Sequence, residues 1–350
     1  MTRIAIDAMG GDFAPHEIVA GAVWAASDYN VPIELVGKED QIERELEKIK
    51  RYGIKCTSPN VPYSRVKVDL DKLDIKITHA SEIIEMGEAP GQAIRKKKKS
   101  SIVLAVDAVA TGSSQAVVAA GSTGAAMAAS LFGLGRLPGI ERPAIATTLP
   151  TMKKPVVLID SGANSNCTPS MLMQFAIMGA AFSKSVLGIE NPRIGILNIG
   201  EEAGKGNELA QSAYKLFEEN QDKINFAGNI EGKEFFQGNC DVVVCDGFVG
   251  NVALKSIEGS SSMLFQMIKQ EFKKDFFSMM IGMLAKPAMK RIFKRINYEE
   301  FGGALLLGVK GITVISHGSS KAYAIKNAVR VAKEAVETEV NKKISDFYEG

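Results

Sequence analysis

Apolar runs of strand length alternate with helical patterns along almost the whole chain. That alternation is the strongest constraint on what it can fold into. Ile33–Val36, Ile75–Thr78, Ala116–Ala119, Val156–Ile159, Ile194–Asn198, Asp241–Cys245 and Ile312–Ser316 read as strands, as does the Ile4-Ala5-Ile6 run near the start. Several are continuously apolar, which is the pattern of strands covered on both faces. Helical segments between them imply right-handed crossovers in a mostly parallel sheet, hence an α/β protein. At 350 residues the chain can bury a large core, as one unit or as two lobes. Residues 138–155, rich in Pro and Thr, are the candidate boundary between lobes.

Bulk composition excludes several classes of function. The net charge of +2 gives no global nucleic-acid signature. No apolar run is long enough to cross a bilayer, and no leader pattern precedes the first strand. Cys56, Cys167, Cys240 and Cys245 are too few for a disulfide scaffold. They lack CxxC spacing and neighbouring histidines, so neither a zinc site nor any other metal or cofactor is expected. A reducing cytoplasm fits this usage. Two stretches depart from the alternation. Residues 54–72, with Pro59 and Pro62, read as an inserted excursion, and residues 260–297 as a long helical region. The Lys96–Lys99 run reads as a solvated helix face.

Five strand ends carry small polar or acidic clusters, and ligands of open α/β sheets bind beyond such ends. The first is Asp7-Ala8-Met9-Gly10-Gly11-Asp12, followed by Pro15 and a helical face of Ile18, Val19, Ala22, Val23 and Ala26. Such a loop offers backbone N–H groups to an anion at a helix N-terminus. The others are Gly121-Ser122-Thr123-Gly124, Asp160-Ser161-Gly162-Ala163-Asn164, Gly200–Asn207 and Asp246-Gly247-Phe248-Val249-Gly250-Asn251. Each alone is a tight strand-to-helix turn, whereas five on one sheet suggest a shared ligand site.

Known motifs are absent. Gly200–Asn207 resembles a P-loop but is one residue short before Lys205 and has Gly206 where Ser or Thr binds magnesium. No GxGxxG opens a first βα unit. What remains is Lys205 between two glycines, suited to neutralise a phosphate or polarise a carbonyl. Ser122 is not in a GxSxG elbow. His317-Gly318-Ser319-Ser320 sits at a strand end, where Ser319 or Ser320 is a candidate helix cap. His317 itself is either a structural or a pocket histidine. With no triad, the chemistry calls for an external nucleophile held by the loops, and phosphate is the obvious one. Residues 260–297 interleave Met263, Phe265, Met267, Phe272, Phe276, Phe277 and Met280 with lysines and arginines. This is either a helix hairpin buried or paired in a dimer, or a surface for anionic membrane or an acidic partner.

Taken together, these motifs resemble a known family. Asp7–Asp12, Gly121–Ala125, Arg142-Pro143-Ala144, Asp160–Asn164, Leu197–Glu202 with Lys205-Gly206-Asn207-Glu208, Gly228-Asn229-Ile230-Glu231-Gly232, Asp246–Asn251 and His317–Ser320 occur in that order. The chain resembles the bacterial acyl-carrier-protein:phosphate acyltransferases of phospholipid synthesis, of the PlsX type. The resemblance covers nearly the whole chain. It implies a three-layer α/β/α fold like that of phosphotransacetylase and isocitrate or isopropylmalate dehydrogenases. It implies that acyl carrier protein thioester and orthophosphate give acyl phosphate and free carrier. It further implies a homodimer and peripheral attachment at the inner face of the cell membrane, where a membrane glycerol-3-phosphate acyltransferase takes the product. The membrane-contacting hairpin of the family falls on residues 260–297. Ser122 stands where the family usually has Asn, and residues 54–72 are longer than in the family.

On this reading Lys205, Asn251, Asp246 and His317 are the catalytic candidates. Asp7, Gly10, Gly11, Asp12, Ser122, Thr123, Asn164, Asn207, Asn229 and Gly247 are the substrate-binding ones. Lys205, Asn251 or loop N–H groups would stabilise an oxyanion, and Asp246 or His317 would manage the phosphate proton. Acyl carrier proteins are strongly acidic, so basic residues near the pocket mouth should recognise them. The rivals are phosphotransacetylase-like exchange with acyl-coenzyme A, a metal-dependent dehydrogenase, and a non-catalytic carrier-binding membrane scaffold.

Overall fold

The computed structural model describes residues 2–56, 58, 61, 64–296 and 298–349. In chain order its first elements are β1 (Ile4–Asp7), α1 (His16–Tyr29), β2 (Ile33–Gly37), α2 (Glu39–Tyr52), β3 (Ile54–Lys55), β4 (Arg65–Val66) and β5 (Ile75–His79). Next come α3 (Pro90–Lys96), α4 (Ser101–Ala110), β6 (Ala116–Ala119), α5 (Thr123–Gly133), β7 (Ala144–Leu149), β8 (Val156–Ile159) and α6 (Pro169–Val186). They are followed by β9 (Ile194–Asn198), α7 (Glu208–Glu219), β10 (Phe226–Glu231), β11 (Val242–Val244), α8 (Gly247–Glu271) and α9 (Phe276–Ile296). The chain ends with β12 (Ala304–Leu307), β13 (Ile312–Ile315), α10 (Ala322–Glu337) and α11 (Val340–Glu349).

One 11-stranded sheet runs in the order β10-β9-β11-β8-β7-β12-β13-β6-β1-β2-β5. β13, β6, β1, β2 and β5 are mutually parallel, and so are β8, β11, β9 and β10. Between these halves every pairing is antiparallel: β13 with β12, β12 with β7, β7 with β8. Three reversals leave the two halves pointing in opposite directions.

The period-2 geometry of a strand sorts the apolar runs onto two faces. Ile4 and Ile6, Val157 and Ile159, and Val242 and Val244 face α1, α2, α6, α7, α10 and α11. Ala5 faces α3, α4 and α5 instead. Val156, Leu158 and Val243 meet Phe235 and, on α8, Leu254 and Ile257. Both faces are dry, which is why the strands are continuously apolar. Trp24 of α1 is 1% exposed, and its ring centroid lies 5.7 Å from that of Tyr323 on α10. Burial of such a side chain contributes roughly 2–3 kcal/mol.

Three strands of the large sheet lie where the sequence pattern showed none. β7 occupies the middle of the Pro- and Thr-rich 138–155 stretch and lies near the centre of the sheet. Its Ala144–Ala146 run and Leu149 are buried, but the half-buried Thr147 and Thr148 interrupt the apolar pattern. β10 contains Gly228 and an irregular register between Phe226 and Gly228, which breaks its pattern. β12 is paired on both edges, by β13 and β7. Within 54–72, β3 and β4 form a small antiparallel pair, and Pro59 and Pro62 lie outside the described residues.

α8 starts against the sheet and then leaves it, and α9 returns alongside. Phe265 stacks on Phe293 at 3.8 Å, and Gly282 lies beneath the Phe272 ring. Phe276, Phe277 and Leu284 face outward, 73%, 72% and 82% exposed.

Candidate active site

β13, β6 and β1 are adjacent and parallel, so the loops at their carboxyl ends meet. Asp7 folds back at the end of β1, and its Oδ1 accepts from the Met9 N–H at 3.1 Å. Burial pushes its carboxyl above the usual range, against hydrogen bonds from Ser101, Met9 and Gly10. Asp7 is therefore a buried loop anchor. Gly11 has φ +109°, in the region that favours glycine, and a Cβ there would lie 2.9 Å from the Ala120 carbonyl. This close approach lets the Asp12 N–H reach the Gly318 carbonyl at 2.8 Å. Asp7, Gly10, Gly11, Asp12, Ser122, Thr123 and His317 thus form one group.

His317 is exposed, and its Nδ1 lies 2.7 Å from Ser319 Oγ and accepts from the Ser319 N–H at 3.2 Å. An Nδ1 that accepts a backbone N–H leaves the proton of the neutral ring on Nε2. Neither serine caps α10: Ser320 bonds Ser316 at 2.8 Å, and the Ala322 N–H donates to Glu17 Oε2 at 2.8 Å.

The second group lies at the carboxyl ends of β8, β11 and β9. Asp160 is fully buried, and its Oδ1 accepts from the N–H of Ile145, Gly162 and Ala163. Its Oδ2 accepts from the Asn164 N–H at 2.7 Å and from Asn164 Nδ2 at 2.9 Å. Burial raises its carboxyl and these donors oppose the rise. The same Nδ2 reaches the Pro143 carbonyl at 2.8 Å. The N–H of Gly247 donates to the Asn164 carbonyl at 2.7 Å, so α8 starts on this loop. Asn251 lies beside Gly162. Asp246 caps α8, its Oδ1 accepting from the N–H groups of Phe248 and Val249. Asn207 caps α7 at the Ala210 N–H. Lys205 is exposed on its loop. Asn229 is buried, donates to the Glu202 carbonyl at 2.9 Å, and has no partner for its Oδ1 among the described residues.

The five loops therefore fall into two groups rather than one ring. Opposed half-sheets put the groups at opposite ends of the strands. β6 and β9 are also six strands apart, or about 29 Å. The fold does not bring Lys205 to the Asp7–Asp12 loop. α8 spans the interval: Gly247 touches the second group, and Glu258 feels His317 of the first. Eleven residues of helix cover roughly 16 Å. Burial raises the Glu258 carboxyl, and electrostatic interaction with His317 and Lys255 opposes the rise in part. That electrostatic coupling of α8 to a distant loop leaves no signal in local sequence.

The helices starting at these loops differ in what holds their N-termini. Asp246 occupies that of α8 and Asn207 that of α7; Glu17 holds α10 and lies in the first turn of α1. α5 has only the neutral hydroxyl of Ser122, accepting from the Ala125 N–H at a long 3.4 Å. Gly10, Gly11 and Gly121 crowd against its entry. α5 therefore leaves its N-terminus suited to an external anion, as does α6, whose cap is the neutral hydroxyl of Thr168.

No thiol competes as nucleophile in the second group. Burial pushes Cys167 up to about 12 and Cys245 well above its usual value. Among the described residues no three His, Cys, Asp or Glu side chains are grouped to hold a metal ion.

A family model described as fatty acid synthesis protein matches residues 2–343. The chain is similar to the phosphate acyltransferase of Pelotomaculum thermopropionicum, 49% identical over 347 residues, covering 99% of this chain and 95% of that one. It is likewise 49% identical over 339 residues to the phosphate acyltransferase of Halothermothrix orenii, covering 97% and 96%. Among solved structures it is similar to a phosphotransacetylase from Streptococcus pyogenes, with a TM-score of 0.60 at 15% identity, covering 96% and 94%. A 4-hydroxythreonine-4-phosphate dehydrogenase from Klebsiella pneumoniae gives 0.55 at 14%, covering 96% and 99%. At such identity these structures establish the fold: a large, mostly parallel sheet between helix layers.

Proposed function

Because the chain belongs to the fatty acid synthesis protein family, and its near-full-length relatives are phosphate acyltransferases, we propose that it transfers an acyl group from an acyl carrier protein thioester to orthophosphate. The observation that carries this reading is 49% identity over 99% of the chain. The geometry supports a position for the reaction. Orthophosphate binds at the α5 N-terminus, among Gly10, Gly11, Ser122 and Thr123, where backbone N–H groups and the helix dipole favour it. A phosphate oxygen attacks the thioester carbonyl, the new C–O bond forms, and the C–S bond breaks. The electron pair leaves with sulfur, and the thiolate takes up a proton. The proton that the thiolate takes up is the one orthophosphate gives up, and His317, with its N–H on Nε2, donates a hydrogen bond to the leaving sulfur or to a phosphate oxygen. Loop N–H groups at the α5 entry stabilise the oxyanion, each worth on the order of 3 kcal/mol.

In this reading Asn164, Gly247 and Asn251 line the far end of the interval spanned by α8, where the thioester arm lies. Asp246 holds α8. Lys205, Asn207 and Asn229 belong to that end and not to the phosphate cradle. The acyl phosphate supplies phospholipid synthesis through a membrane glycerol-3-phosphate acyltransferase, and the α8–α9 hairpin provides both a homodimer contact and a peripheral membrane contact. No helix among the described residues is long and apolar enough to cross a membrane.

The test is release of free carrier thiol from acyl-carrier protein. Release should depend on orthophosphate and be stoichiometric with acyl phosphate. Equal turnover with the coenzyme A thioester at equal concentration would favour the phosphotransacetylase-like rival. No phosphate-dependent release from either thioester would sink the reading.

A further inference from the structure

We propose that the joined ends of α3 and α5, with the cavity beyond them, form the docking surface for the acidic carrier protein, an inference that rests on the reading above. The two helices run side by side. Pro90 lies against Gly124 near their starts, and the Arg95 guanidinium stands 5.8 Å from the centre of the Phe132 ring near their ends. The basic run beside them is not one uniform solvated face. Lys97 is engaged inward, by Glu88 at 2.6 Å and the Ile83 carbonyl at 2.8 Å. Arg95, Lys96, Lys98 and Lys99 are exposed and make no ion pair among the described residues. In a chain with 42 basic and 40 acidic residues, this is a local excess of positive charge.

Phe132 gives the surface an apolar centre, 59% exposed at the end of α5. Beyond it lies a cavity of about 680 Å³ lined by Leu131, Phe132 and Met171, with Arg136 and Arg142 beside them. The one carboxylate of that lining, Glu141, is already held by Ser170 Oγ at 2.8 Å, and its carbonyl accepts from Arg136. An exposed aromatic ringed by guanidinium groups is the composition of an interface centre. It fits a partner that presents carboxylates around an apolar spot, and cations at its rim would speed encounter with an acidic protein. The surface also reaches the proposed site. The Pro143 carbonyl, next to Arg142, accepts from Asn164 of the Asp160 loop, where α8 begins. A carrier seated here delivers its arm into the interval under α8.

The experiment is binding of unacylated, pantetheine-bearing carrier protein, followed by fluorescence anisotropy at two salt concentrations. The proteins compared are wild type, the double variant Arg95→Glu/Lys96→Glu, Phe132→Ala, and Lys215→Glu on α7 across the sheet. The double variant should weaken Kd at least tenfold and flatten its salt dependence. Phe132→Ala should weaken it about fivefold, and Lys215→Glu less than twofold. In turnover the double variant should raise KM for the carrier thioester with kcat within about twofold. A folded double variant with wild-type Kd overturns the proposal, as does equal weakening by Lys215→Glu. If the double variant does not fold, Phe132→Ala decides, and an unchanged Kd overturns the proposal. Failure of the functional reading looks different: the carrier binds in this surface-dependent way, yet phosphate releases no thiol.

Discussion

Ser122 separates two places where phosphate could be held. It is the only side-chain cap on α5, at a long 3.4 Å, and it is neutral, while α8 carries the carboxylate of Asp246 in the same position. Ser122→Asp would give α5 a resident anion. Aspartate caps helices as well as serine does and suits the positive end of the dipole, so stability should hold or rise by up to about 1 kcal/mol. The same carboxylate would repel orthophosphate, and KM for phosphate should rise at least tenfold. Lys205→Ala removes a charge from the far end of the other half-sheet and should change that KM by less than threefold. Steady-state kinetics with phosphate as the varied substrate checks both. A larger effect from Lys205→Ala would move the phosphate to the second group.

α8 is the element that joins site to surface. Its first turn rests on the Asp160 loop so closely that a Cβ on Gly250 would lie 1.9 Å from the Asp160 carbonyl. Its fourth turn carries Glu258, which is coupled electrostatically to His317, and its later turns pair with α9. Within that hairpin the aromatic seam of Phe265 and Phe293 is internally satisfied, so the outward Phe276, Phe277 and Leu284 are surplus to the fold of one chain. Exposed apolar side chains of this kind mark a contact surface, and on the proposed membrane contact the adjacent Lys273, Lys286 and Lys290 would favour an anionic one. Phe276→Asp/Phe277→Asp should therefore cut co-sedimentation with anionic phospholipid vesicles at least tenfold and leave the thermal midpoint within about 2 °C, since such surface changes rarely exceed ±0.5 kcal/mol. Undiminished sedimentation would assign the tip another partner, and dissociation to monomers in ultracentrifugation would assign it to the dimer.

At the scale of the whole molecule, the sheet was legible where its strands are continuously apolar, as at Val156–Ile159 or Ala116–Ala119, because burial on both faces writes that pattern directly. The reversal of the two halves was not. It depends on β7 and β12, short strands whose direction is set by partners far along the chain, and it divides the loops into two groups. The loop residues were visible as glycine and acid clusters; which of them meet was not, since the Asp12 N–H reaches the Gly318 carbonyl from the other end of the chain. The same topology shows where stability is kept. The glycine-rich and acidic loops occupy carboxyl ends, while carboxylates clamp amino ends in each half. Glu34, 2% exposed, binds Lys76 Nζ at 2.8 Å, Thr78 Oγ1 at 2.6 Å and Ser114 Oγ at 2.9 Å, tying β2 to β5 and to the approach to β6. Asp241 accepts from Arg193 Nε at 2.9 Å and from its N–H at 2.8 Å, joining the approaches to β11 and β9. Burial opposes ionisation of both carboxyls, but these donors prevail and hold each below its ordinary value. A carboxyl depressed on folding adds stability above its unfolded value of 4.5 for Glu34 or 3.8 for Asp241, and that stability is lost as pH falls through the folded value. Glu34→Gln and Asp241→Asn cannot titrate. Each should cost about 1–3 kcal/mol at pH 7, the range for hydrogen bonds to charged groups. The gap to wild type should narrow as pH falls below about 4, where the wild-type carboxyls take up protons and resemble the amides. Urea unfolding at pH 7, 5, 4 and 3 measures it, and a gap that stays constant across that range would show that neither clamp draws its strength from charge.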